Sequence, residues 1–586
     1  MCGIAGIYTS GREIEIDTVK KMTDSIIHRG PDGEGHWKNA SGEIVLGHRR
    51  LSIIDLTDKA KQPMQYANGR YTISFNGEIY NYIELRQTLK AAGYHFLSNS
   101  DTEVLLALYD QKKENCLNDL DGMFAFAIWD EQEKKLFCAR DRFGEKPFYY
   151  FFDKEKGFYF ASEMKALWAA GIEKNIDSSM LINFITTNIV VDEKNAEKTF
   201  YNNIYQLDSS QYLTIASDIF QPIIKRYFSL DHIEINEEIK KDEAKEEFIF
   251  LLGQSVRLRL RSDVPVGSSL SGGIDSSSIV MLMDKIKGET NVQKTFSARF
   301  KDFDRDEGYY MKLVTDKCNT VEPHEVWPAK EEMENVMDKI LYHQEEPFGS
   351  ASIFAQWKVM ELAKNSGVTV LLDGQGADEQ LAGYLYYYNQ YLAQLYQNEY
   401  PVFLKELEGF ENLRKVIHPL HPRNQSVKMK LGRFKRKLVK SSISISDSHL
   451  SNRLKHDMTV TGLKELLRYA DRNSMAHSVE VRLPFLSHKL VEFIFTLPDS
   501  FKLKDGWTKM ILRESMENIL PSEITWRIDK VAYETPQQQW LDNIKESAIS
   551  KSRLLPYLRD LGYFKKGYKI EDIPNWNYYL LAKFIN

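Results

Sequence analysis

The chain has 586 residues and a net charge of −6, with 43% hydrophobic, 27% charged and 12% aromatic residues. A chain of this length exceeds one ordinary domain, so we expect two or three domains, and the aromatic content argues against a disordered protein. The small net charge gives no global indication of nucleic-acid binding, and no apolar stretch is long enough to span a membrane. These properties predict a globular, cytoplasmic protein without stable membrane insertion or a nucleic-acid partner.

The first third of the sequence consists of short apolar runs separated by turn residues. The runs predict β-strands at 71–81, 123–130, 135–141, 147–152 and 157–162. One helix is expected after Tyr80 and another over 102–112, with Ser100 or Asp101 as its N-terminal cap. This arrangement of strands and helices predicts a layered α+β domain.

The sequence changes character after this region. A charged, weakly periodic stretch within 205–245 suits a linker that leads into a helix. Beyond it, helical segments alternate with short apolar runs at 263–273, 294–300 and 368–374. Such alternation predicts a parallel α/β sheet, which binds ligands at the carboxyl ends of its strands. We therefore place two domains at 2–215 and 240–586, the second with a helical C-terminal part.

The four cysteines are too scattered for a disulfide framework or a zinc site. Cys116, Cys138 and Cys318 are expected to pack as small hydrophobic residues. Cys2 differs because removal of Met1 would leave it with both a thiol and a free α-amino group. An amine of near-neutral pKa can take the thiol proton, so nucleophile and base would lie on one residue.

Five segments in order carry a resemblance to a known type of domain. They are "MCGIAGI" (1–7), "HRGPDG" (28–33), "HRRLSIID" (48–55), "FNGEIYN" (75–81) and "NSDTEV" (99–104). Together they resemble the glutamine amidotransferase domain of the N-terminal-nucleophile class. The resemblance implies a four-layer αββα fold in which Cys2 attacks the glutamine side-chain amide, and Asn76 with the Gly77 backbone N–H forms the oxyanion hole.

The same resemblance implies a glutamine-binding set. Arg50 would pair with the glutamine carboxylate, and Glu78 and Asp101 would face its α-amino group. The full implied set is Arg50, Leu51, Ser52, Ile53, Ile54, Asn76, Gly77, Glu78 and Asp101. This domain alone would produce only glutamate and ammonia.

The segment "SLSGGIDSS" (269–277) ends an apolar run and opens a helix. Backbone N–H groups at such a turn form an anion site, and the absence of Gly-Lys-Ser/Thr distinguishes it from the common P-loop. It resembles the pyrophosphate loop of ATP-pyrophosphatases, which implies that Asp275 contacts ATP and holds Mg²⁺. The residues implied to hold the pyrophosphate are Ser271, Gly272, Gly273, Ser276 and Ser277.

An amidotransferase domain followed by this loop is the order found in glutamine-hydrolysing asparagine synthetases. "SEMKAL" (162–167), "DRNSMAHSVEVRLPFL" (471–486) and "ITWRIDK" (524–530) also resemble segments of that family. The resemblance implies that ATP activates a carboxylate as an acyl-adenylate, with AMP, pyrophosphate and glutamate as products. It also implies further ATP contacts and a second Mg²⁺ ligand: Ser269 and Ala298 would contact the adenosine, Asp373 and Gly374 would close over it, and Asp378 would bind the metal. Lys530 would neutralise charge on the phosphate, and ammonia would cross between the domains by an apolar conduit.

The stretch "VLLDGQGADEQLAGY" (370–384) departs from the family pattern. The family has glutamate where this chain has Gln375, and serine where it has Asp373. A glutamate can accept a proton, whereas a glutamine amide acts only through hydrogen bonds. Asp373 or Glu379 could take over the role, the acceptor could carry a different charge, or the synthetase half could be impaired. Gln375 is kept as a candidate catalytic residue.

Three functional hypotheses follow from these segments. The first is an enzyme that amidates L-aspartate, with glutamine, ATP and the carboxylate acceptor as small-molecule partners, Mg²⁺ as cofactor and a homodimer as candidate assembly. The second keeps this chemistry on another carboxylate, such as a uronic acid of a surface polysaccharide. The third is a glutamine-sensing or scaffolding protein without turnover, which has no need of the Cys2 nucleophile. The basic run at 428–440 is expected to be a solvated helical face.

Overall fold

The computed structural model describes residues 2–288, 292–417, 449–528, 534–541, 553–561, 563, 569 and 573–585. The strands of the N-terminal half are β1 Gly3–Tyr8, β2 Gly33–Lys38, β3 Ile44–Arg50, β4 Met64–Tyr66, β5 Tyr71–Ile79, β6 Gly122–Asp130, β7 Lys135–Arg140, β8 Tyr149–Asp153, β9 Gly157–Ala161, β10 Tyr205–Gln206, β11 Gln211–Ala216 and β12 Ile223–Arg226. The α-helices of this half are α1 Ile16–Asp24, α2 Tyr82–Ala91, α3 Asp101–Lys112, α4 Met164–Ala169 and α5 Ser178–Thr187. Every strand and helix predicted here from the sequence is present, with ends shifted by at most two residues.

Two antiparallel six-stranded sheets form the middle of the N-terminal half. One has the order β10-β8-β9-β1-β3-β2 and the other β12-β11-β7-β6-β5-β4. Apolar side chains from both sheets fill the space between them, including Leu46, Ala127 and Trp129. Helix α3 packs on the outer face of the second sheet, and α1 and α4 pack on the first. The half is therefore the predicted αββα four-layer fold.

The apolar pattern of single elements matches their place in these layers. Strand β6 is buried along nearly its whole length, because one face meets the opposite sheet and the other meets α3. Helix α3 begins after Ser100, whose hydroxyl accepts the Thr102 backbone N–H. This cap satisfies one of the free N–H groups of the first turn and fixes where Asp101 enters the helix.

A five-stranded parallel sheet lies at the centre of the C-terminal half. The remaining strands are β13 Val266–Ser269, β14 Gln293–Ala298, β15 Val321–Val326, β16 Val370–Leu372, β17 Glu480–Arg482, β18 Leu503–Lys504 and β19 Trp507–Thr508. The sheet order is β15-β14-β13-β16-β17, and all four pairings are parallel. Neighbours β13 and β16 end at the same edge, so the loops that follow Ser269 and Leu372 lie side by side.

Helices cover this sheet and form the C-terminal part. They are α6 Lys241–Arg259, α7 Ile274–Lys287, α8 Gly308–Lys317, α9 Lys330–Gln344, α10 Ser352–Asn365, α11 Ala377–Gln380, α12 Leu385–Asn398, α13 Tyr400–Ile417, α14 Leu450–Thr459, α15 Leu463–Ala476, α16 His488–Thr496, α17 Met510–Met516, α18 Ser522–Thr525, α19 Gln537–Leu541, α20 Leu554–Asp560 and α21 Asn575–Phe584. Among the described residues, no helix is both long and apolar enough to cross a membrane. The basic run at 428–440 lies outside the described residues.

Buried ion pairs join the two halves. Arg29 donates to both carboxylate oxygens of Asp471 on α15, at 2.8 and 3.0 Å. Glu163 accepts from Arg29 at 2.8 Å and lies 3.0 Å from Arg472. Because these groups are almost fully buried, removing one partner would leave an uncompensated charge. The contacts fix the orientation of one half against the other.

Candidate active sites

Cys2 lies at the start of β1, where the two central sheets of the N-terminal half face each other. Its side chain is buried, and its Sγ lies 3.9 Å from the carbonyl oxygen of Leu51. Burial raises the pKa of the thiol. A thiol in this position needs a nearby base to become a nucleophile, as the N-terminal-nucleophile interpretation requires.

Asn76 on β5 faces Cys2. Its Oδ1 accepts the Cys2 backbone N–H at 2.9 Å, while its Nδ2 is buried without a hydrogen-bond partner among the described residues. The next residue must be glycine, because a Cβ at Gly77 would collide with the carbonyl oxygen of Met123 on β6. An unpaired amide donor beside a nucleophile is the arrangement expected of an oxyanion hole.

A pocket of about 330 Å³ opens beside Cys2. It is lined by Cys2, Arg50, Leu51, Ile53, Ile54, Ala60, Gln62, Phe75, Gly77, Glu78, Ser100, Asp101 and Thr102. The structure thus brings together most residues of the predicted glutamine set. Asn76 lies behind Gly77, and Ser52 is held by a 2.8 Å hydrogen bond from its backbone N–H to Asp32 outside this lining.

Two charged side chains of the pocket are held by the backbone. Arg50 donates to the carbonyl oxygens of Thr57, at 3.0 Å, and Asp55. Asp101 accepts the N–H groups of Ile79 and Thr102, each at 2.9 Å. The carboxylate of Asp101 thus accepts a hydrogen bond in the first turn of α3 and also lines the pocket. Burial raises the Asp101 pKa to about 6.

Gln62 is a pocket residue that the sequence did not indicate. It precedes a strand, carries no motif and lies 13 residues before Phe75, whose backbone N–H it binds through Oε1 at 2.7 Å. Its Nε2 lies 3.4 Å from the Thr102 hydroxyl. Strand β5 and helix α3 meet at this side chain, and such a long-range contact has no local signal in the sequence.

The glycine-rich loop after β13 has the shape of an anion site. Gly272 has a φ of +76°, and its neighbour Gly273 stands at the start of α7. Ser271 and Ser276 cross the loop, with hydroxyl oxygens 3.0 Å apart and a 3.1 Å bond from the Ser271 N–H. Ser277 follows in the first turn of α7, while Ser269 and Ala298 end the adjacent strands β13 and β14. The predicted ATP set therefore surrounds the carboxyl edge of the parallel sheet.

Lys509 joins the two carboxylates predicted to bind metal. Its Nζ lies 2.7 and 2.5 Å from the two oxygens of Asp275 and 2.7 Å from Asp378 Oδ1, and its side chain is fully buried. A Cβ at Gly383 would collide with the side chains of both Asp378 and Lys509, so a larger residue there would displace this ion pair. Two convergent carboxylates that hold one buried cation form a donor set suited to Mg²⁺. Lys509 was not predicted, because a single lysine far along the chain has no motif of its own.

The acidic loop of 373–379 adjoins this pair. Gln375 places its Oε1 in a buried position without a hydrogen-bond partner among the described residues. Glu379 is buried, accepts the Tyr384 hydroxyl at 2.8 Å, and has a pKa raised to about 7 by burial and by Asp378. Asp373 also has a raised pKa, again chiefly through burial. Lys530 lies outside the described residues, so its predicted role stays a prediction.

Comparisons with known proteins agree with the two halves of the structure. The glutamine amidotransferase domain family matches residues 1–228, and the asparagine synthase family matches residues 247–571. Asparagine synthetase [glutamine-hydrolyzing] 1 of Bacillus subtilis is 33% identical over 577 residues, which cover 93% of this chain and 88% of that protein. A putative asparagine synthetase [glutamine-hydrolyzing] 2 of Methanocaldococcus jannaschii is 35% identical over 444 residues, covering 70% of this chain and 83% of its own.

A relative with a different name is also similar over the whole length. Amidase chry2 of Gibberella zeae is 26% identical over 651 residues, covering 96% of this chain and 93% of its own. The family matches and the Bacillus relative span nearly the entire sequence. The chain therefore belongs to the family of glutamine-hydrolysing asparagine synthetases.

Proposed function

We propose that the chain converts L-aspartate to L-asparagine with glutamine as nitrogen donor, through an acyl-adenylate, releasing AMP, pyrophosphate and glutamate. The observation that carries the proposal is the apolar cluster between the two sites. Leu51, whose carbonyl faces Cys2 Sγ, packs in one buried cluster with Met123, Met475 and Val370. Val370 begins strand β16, which leads directly into the acidic loop at Asp373.

In the first half-reaction, Cys2 attacks the glutamine amide. Once Met1 is removed, the Cys2 amine takes the thiol proton, and the Asn76 Oδ1 contact orients this amine. Asn76 Nδ2 and the Gly77 N–H stabilise the oxyanion, and the thioester that follows is hydrolysed to glutamate. Arg50 and Asp101 hold the two charged ends of the amino acid.

Ammonia then needs a dry path to the second site. The cluster between the sites contains Leu51, Ile53, Tyr80, Met123, Val370 and Met475, with Ile54, Leu258, Val264 and Val266 packed against it. An apolar lining disfavours ammonium, so nitrogen arrives as the nucleophilic neutral form. Val266 and Val370 stand at the starts of neighbouring strands of the parallel sheet, so the cluster reaches the synthetase half.

In the second half-reaction, the acceptor carboxylate attacks the α-phosphate of ATP. The loop 271–277 binds pyrophosphate through backbone N–H groups and the Ser271, Ser276 and Ser277 hydroxyls. Asp275 and Asp378 would hold Mg²⁺, which screens the charge between the two reacting anions. The Lys509 ammonium bridges these two carboxylates and offsets their mutual repulsion.

A second acceptor class is favoured by one specific observation. The half-buried Gln375 amide, whose buried Oε1 has no hydrogen-bond partner among the described residues, offers hydrogen bonds where the family has a charged carboxylate, so an acceptor rich in hydroxyl groups would suit it. A uronic acid is such an acceptor. The name of the similar Gibberella zeae protein, an amidase, belongs to that protein and is compatible with a different acceptor here.

The test is pyrophosphate release with ATP, Mg²⁺ and ammonia, comparing L-aspartate with a panel of uronic acids. We expect release that depends on aspartate. Release with uronic acids alone would replace aspartate by the second class. Glutamine binding without glutamate or pyrophosphate production under any condition would instead support the scaffolding hypothesis.

A further inference from the structure

Arg482 contributes its backbone to the loop of the synthetase site. It ends strand β17 and is aligned with Leu372 of β16 in a parallel pair. Its carbonyl oxygen accepts the Asp373 N–H at 3.0 Å. Asp373 is the first residue of the acidic loop, so the position of this loop depends on where Arg482 lies.

The side chain of Arg482 points toward the other half of the molecule. Its Nη2 lies 3.5 Å from Glu78 Oε1, and Glu78 lines the pocket beside Cys2. Its Nε binds Glu480 at 2.6 Å, and its Nη1 donates to the carbonyl oxygens of Arg259 and Arg261 at 2.8 and 2.6 Å. One fully buried guanidinium therefore contacts the glutamine pocket, the end of α6 and its own strand.

The hydrogen bonds of Arg482 are unevenly distributed. Nε and Nη1 are fully engaged, whereas Nη2 makes no hydrogen bond among the described residues and faces Glu78 only as an ion pair. A buried donor without a partner is costly, by about 1–3 kcal/mol, so small shifts that improve its contact are favoured. The guanidinium of Arg482 is planar and rigid, and its Nε and Nη1 are already held by hydrogen bonds. A displacement of Nη2 is therefore transmitted to strand β17.

We propose that Arg482 is a positioning residue that couples glutamine binding to the state of the ATP loop. The inference rests on the proposed function, in which the glutamine α-ammonium binds near Glu78 and ATP binds beside Asp373. An ammonium at Glu78 competes with Nη2 for the carboxylate, and a nucleotide at Asp373 shifts the Arg482 backbone. Binding at either site then changes affinity at the other by the same factor, because such coupling is reciprocal.

The experiment measures this factor in the Cys2→Ala protein, which binds glutamine without turning it over. Glutamine affinity is determined by calorimetry with and without a saturating non-hydrolysable ATP analogue and Mg²⁺. We expect the nucleotide to change the glutamine Kd at least about fivefold in this parent, within the usual range of coupling between sites. Arg482→Lys keeps the charge but loses the fork, and its coupling should fall below twofold.

Lys464→Met is the matched control. Lys464 also forms a buried ion pair between the two halves, with Asp208, but contacts neither the acidic loop nor the Cys2 pocket. It should lose stability and keep the coupling of the parent. If Arg482→Lys does not fold, Glu480→Met removes the acceptor of the Nε hydrogen bond while leaving Arg482 in place, and its coupling should fall in the same direction.

Two outcomes would overturn the inference. One is a parent whose glutamine affinity does not respond to the nucleotide, and the other is an Arg482 or Glu480 variant that retains the full response. The proposed function is tested separately by glutamate release and ammonia-dependent pyrophosphate release in the protein with Cys2 intact. If both activities are present but the coupling is absent, the proposed function stands and only the coupling role of Arg482 is rejected.

Discussion

Asn76 accepts the backbone N–H of Cys2 at 2.9 Å through Oδ1 and leaves its own Nδ2 buried and unpaired among the described residues. Asn76 thus orients the Cys2 nitrogen, which becomes the free α-amine once Met1 is removed. Its Nδ2 remains available to donate a hydrogen bond during the reaction. Leaving such a donor unpaired costs about 1–3 kcal/mol in the free protein. The donor gains its partner when negative charge develops on the substrate oxygen, which is where an enzyme benefits most.

Asn76→Asp tests this division of roles. The substituted carboxylate still accepts the Cys2 N–H but offers no donor and repels an oxyanion. Glutaminase kcat should fall by about 10²–10³, as for loss of one oxyanion-hole donor. Ammonia-dependent turnover serves as the internal control and should stay unchanged. A glutaminase kcat within tenfold of the parent would remove Asn76 from the oxyanion hole.

Cys2→Ala should separate the two half-reactions. Without a nucleophile, glutamine-dependent product formation should fall below detection, while ammonia-dependent formation remains within about twofold because the synthetase site is intact. Intact-mass measurement of the parent should show that Met1 is absent. Loss of both activities, or retention of Met1 in an active protein, would contradict the N-terminal-nucleophile role.

Lys509→Met should strengthen Mg²⁺ binding in the absence of nucleotide. The Lys509 ammonium competes for the Asp275 and Asp378 oxygens, so its removal leaves two carboxylates that attract a divalent cation. We expect the Mg²⁺ Kd to fall at least about tenfold, or ~1.4 kcal/mol, measured by calorimetry. Without Mg²⁺, the melting temperature of the variant should lie below that of the parent. Addition of Mg²⁺ should restore it.

The control for that variant is Lys464→Met, which removes the ion pair of Lys464 with Asp208 and leaves Asp275 and Asp378 untouched. Its Mg²⁺ affinity should equal that of the parent. If Lys509→Met binds Mg²⁺ no better than this control does, Asp275 and Asp378 are not the metal ligands.

Glu145 predicts a pH-dependent stability. It lies in a pocket between the two halves, its Oε2 has no hydrogen-bond partner among the described residues, and burial raises its pKa to about 8. An unfolded glutamate titrates near about 4.3. Protonation of Glu145 therefore contributes fully to the free energy of unfolding below a pH of about 4.3. This contribution is lost as the pH rises toward about 8.

Glu145→Gln cannot ionise and so should gain stability relative to the parent between pH 5 and pH 8. Melting temperatures at four pH values across this interval measure the difference, with exposed Glu155→Gln as the matched control. A Glu145→Gln difference that stays constant with pH would show that Glu145 is ionised throughout.

The sequence was a good guide where chemistry and local structure coincide. Cys2 stands in a short motif just before a strand, Asn76 in one within a strand and Asp101 in one at a helix start, and the structure brings the three into one neighbourhood. Long-range partners gave no such signal. Lys509 lies more than 200 residues after Asp275 and meets it only through the fold. Arg482 stood inside a quoted motif, but nothing in the sequence shows that its side chain reaches Glu78.

The acceptor is the part of the function that depends most on side-chain detail. The glycines around Gln375 predict the backbone of its loop. The side chain differs from glutamate only in an amide nitrogen that replaces one carboxylate oxygen, and this one atom decides whether the site is charged or neutral. The burial of its Oε1 without a hydrogen-bond partner among the described residues is a tertiary property, which the sequence pattern does not report. Pattern alone therefore predicts the amidation chemistry better than the identity of the carboxylate.

The most direct test of the central claim follows the nitrogen. The protein is supplied with amide-¹⁵N glutamine, ATP, Mg²⁺ and L-aspartate in the presence of unlabelled ammonium, and asparagine, AMP and pyrophosphate are quantified. The account predicts asparagine that carries ¹⁵N, formed in equal amounts with AMP and pyrophosphate. Asparagine with the isotope content of the bulk ammonium, or ADP in place of AMP, would contradict it.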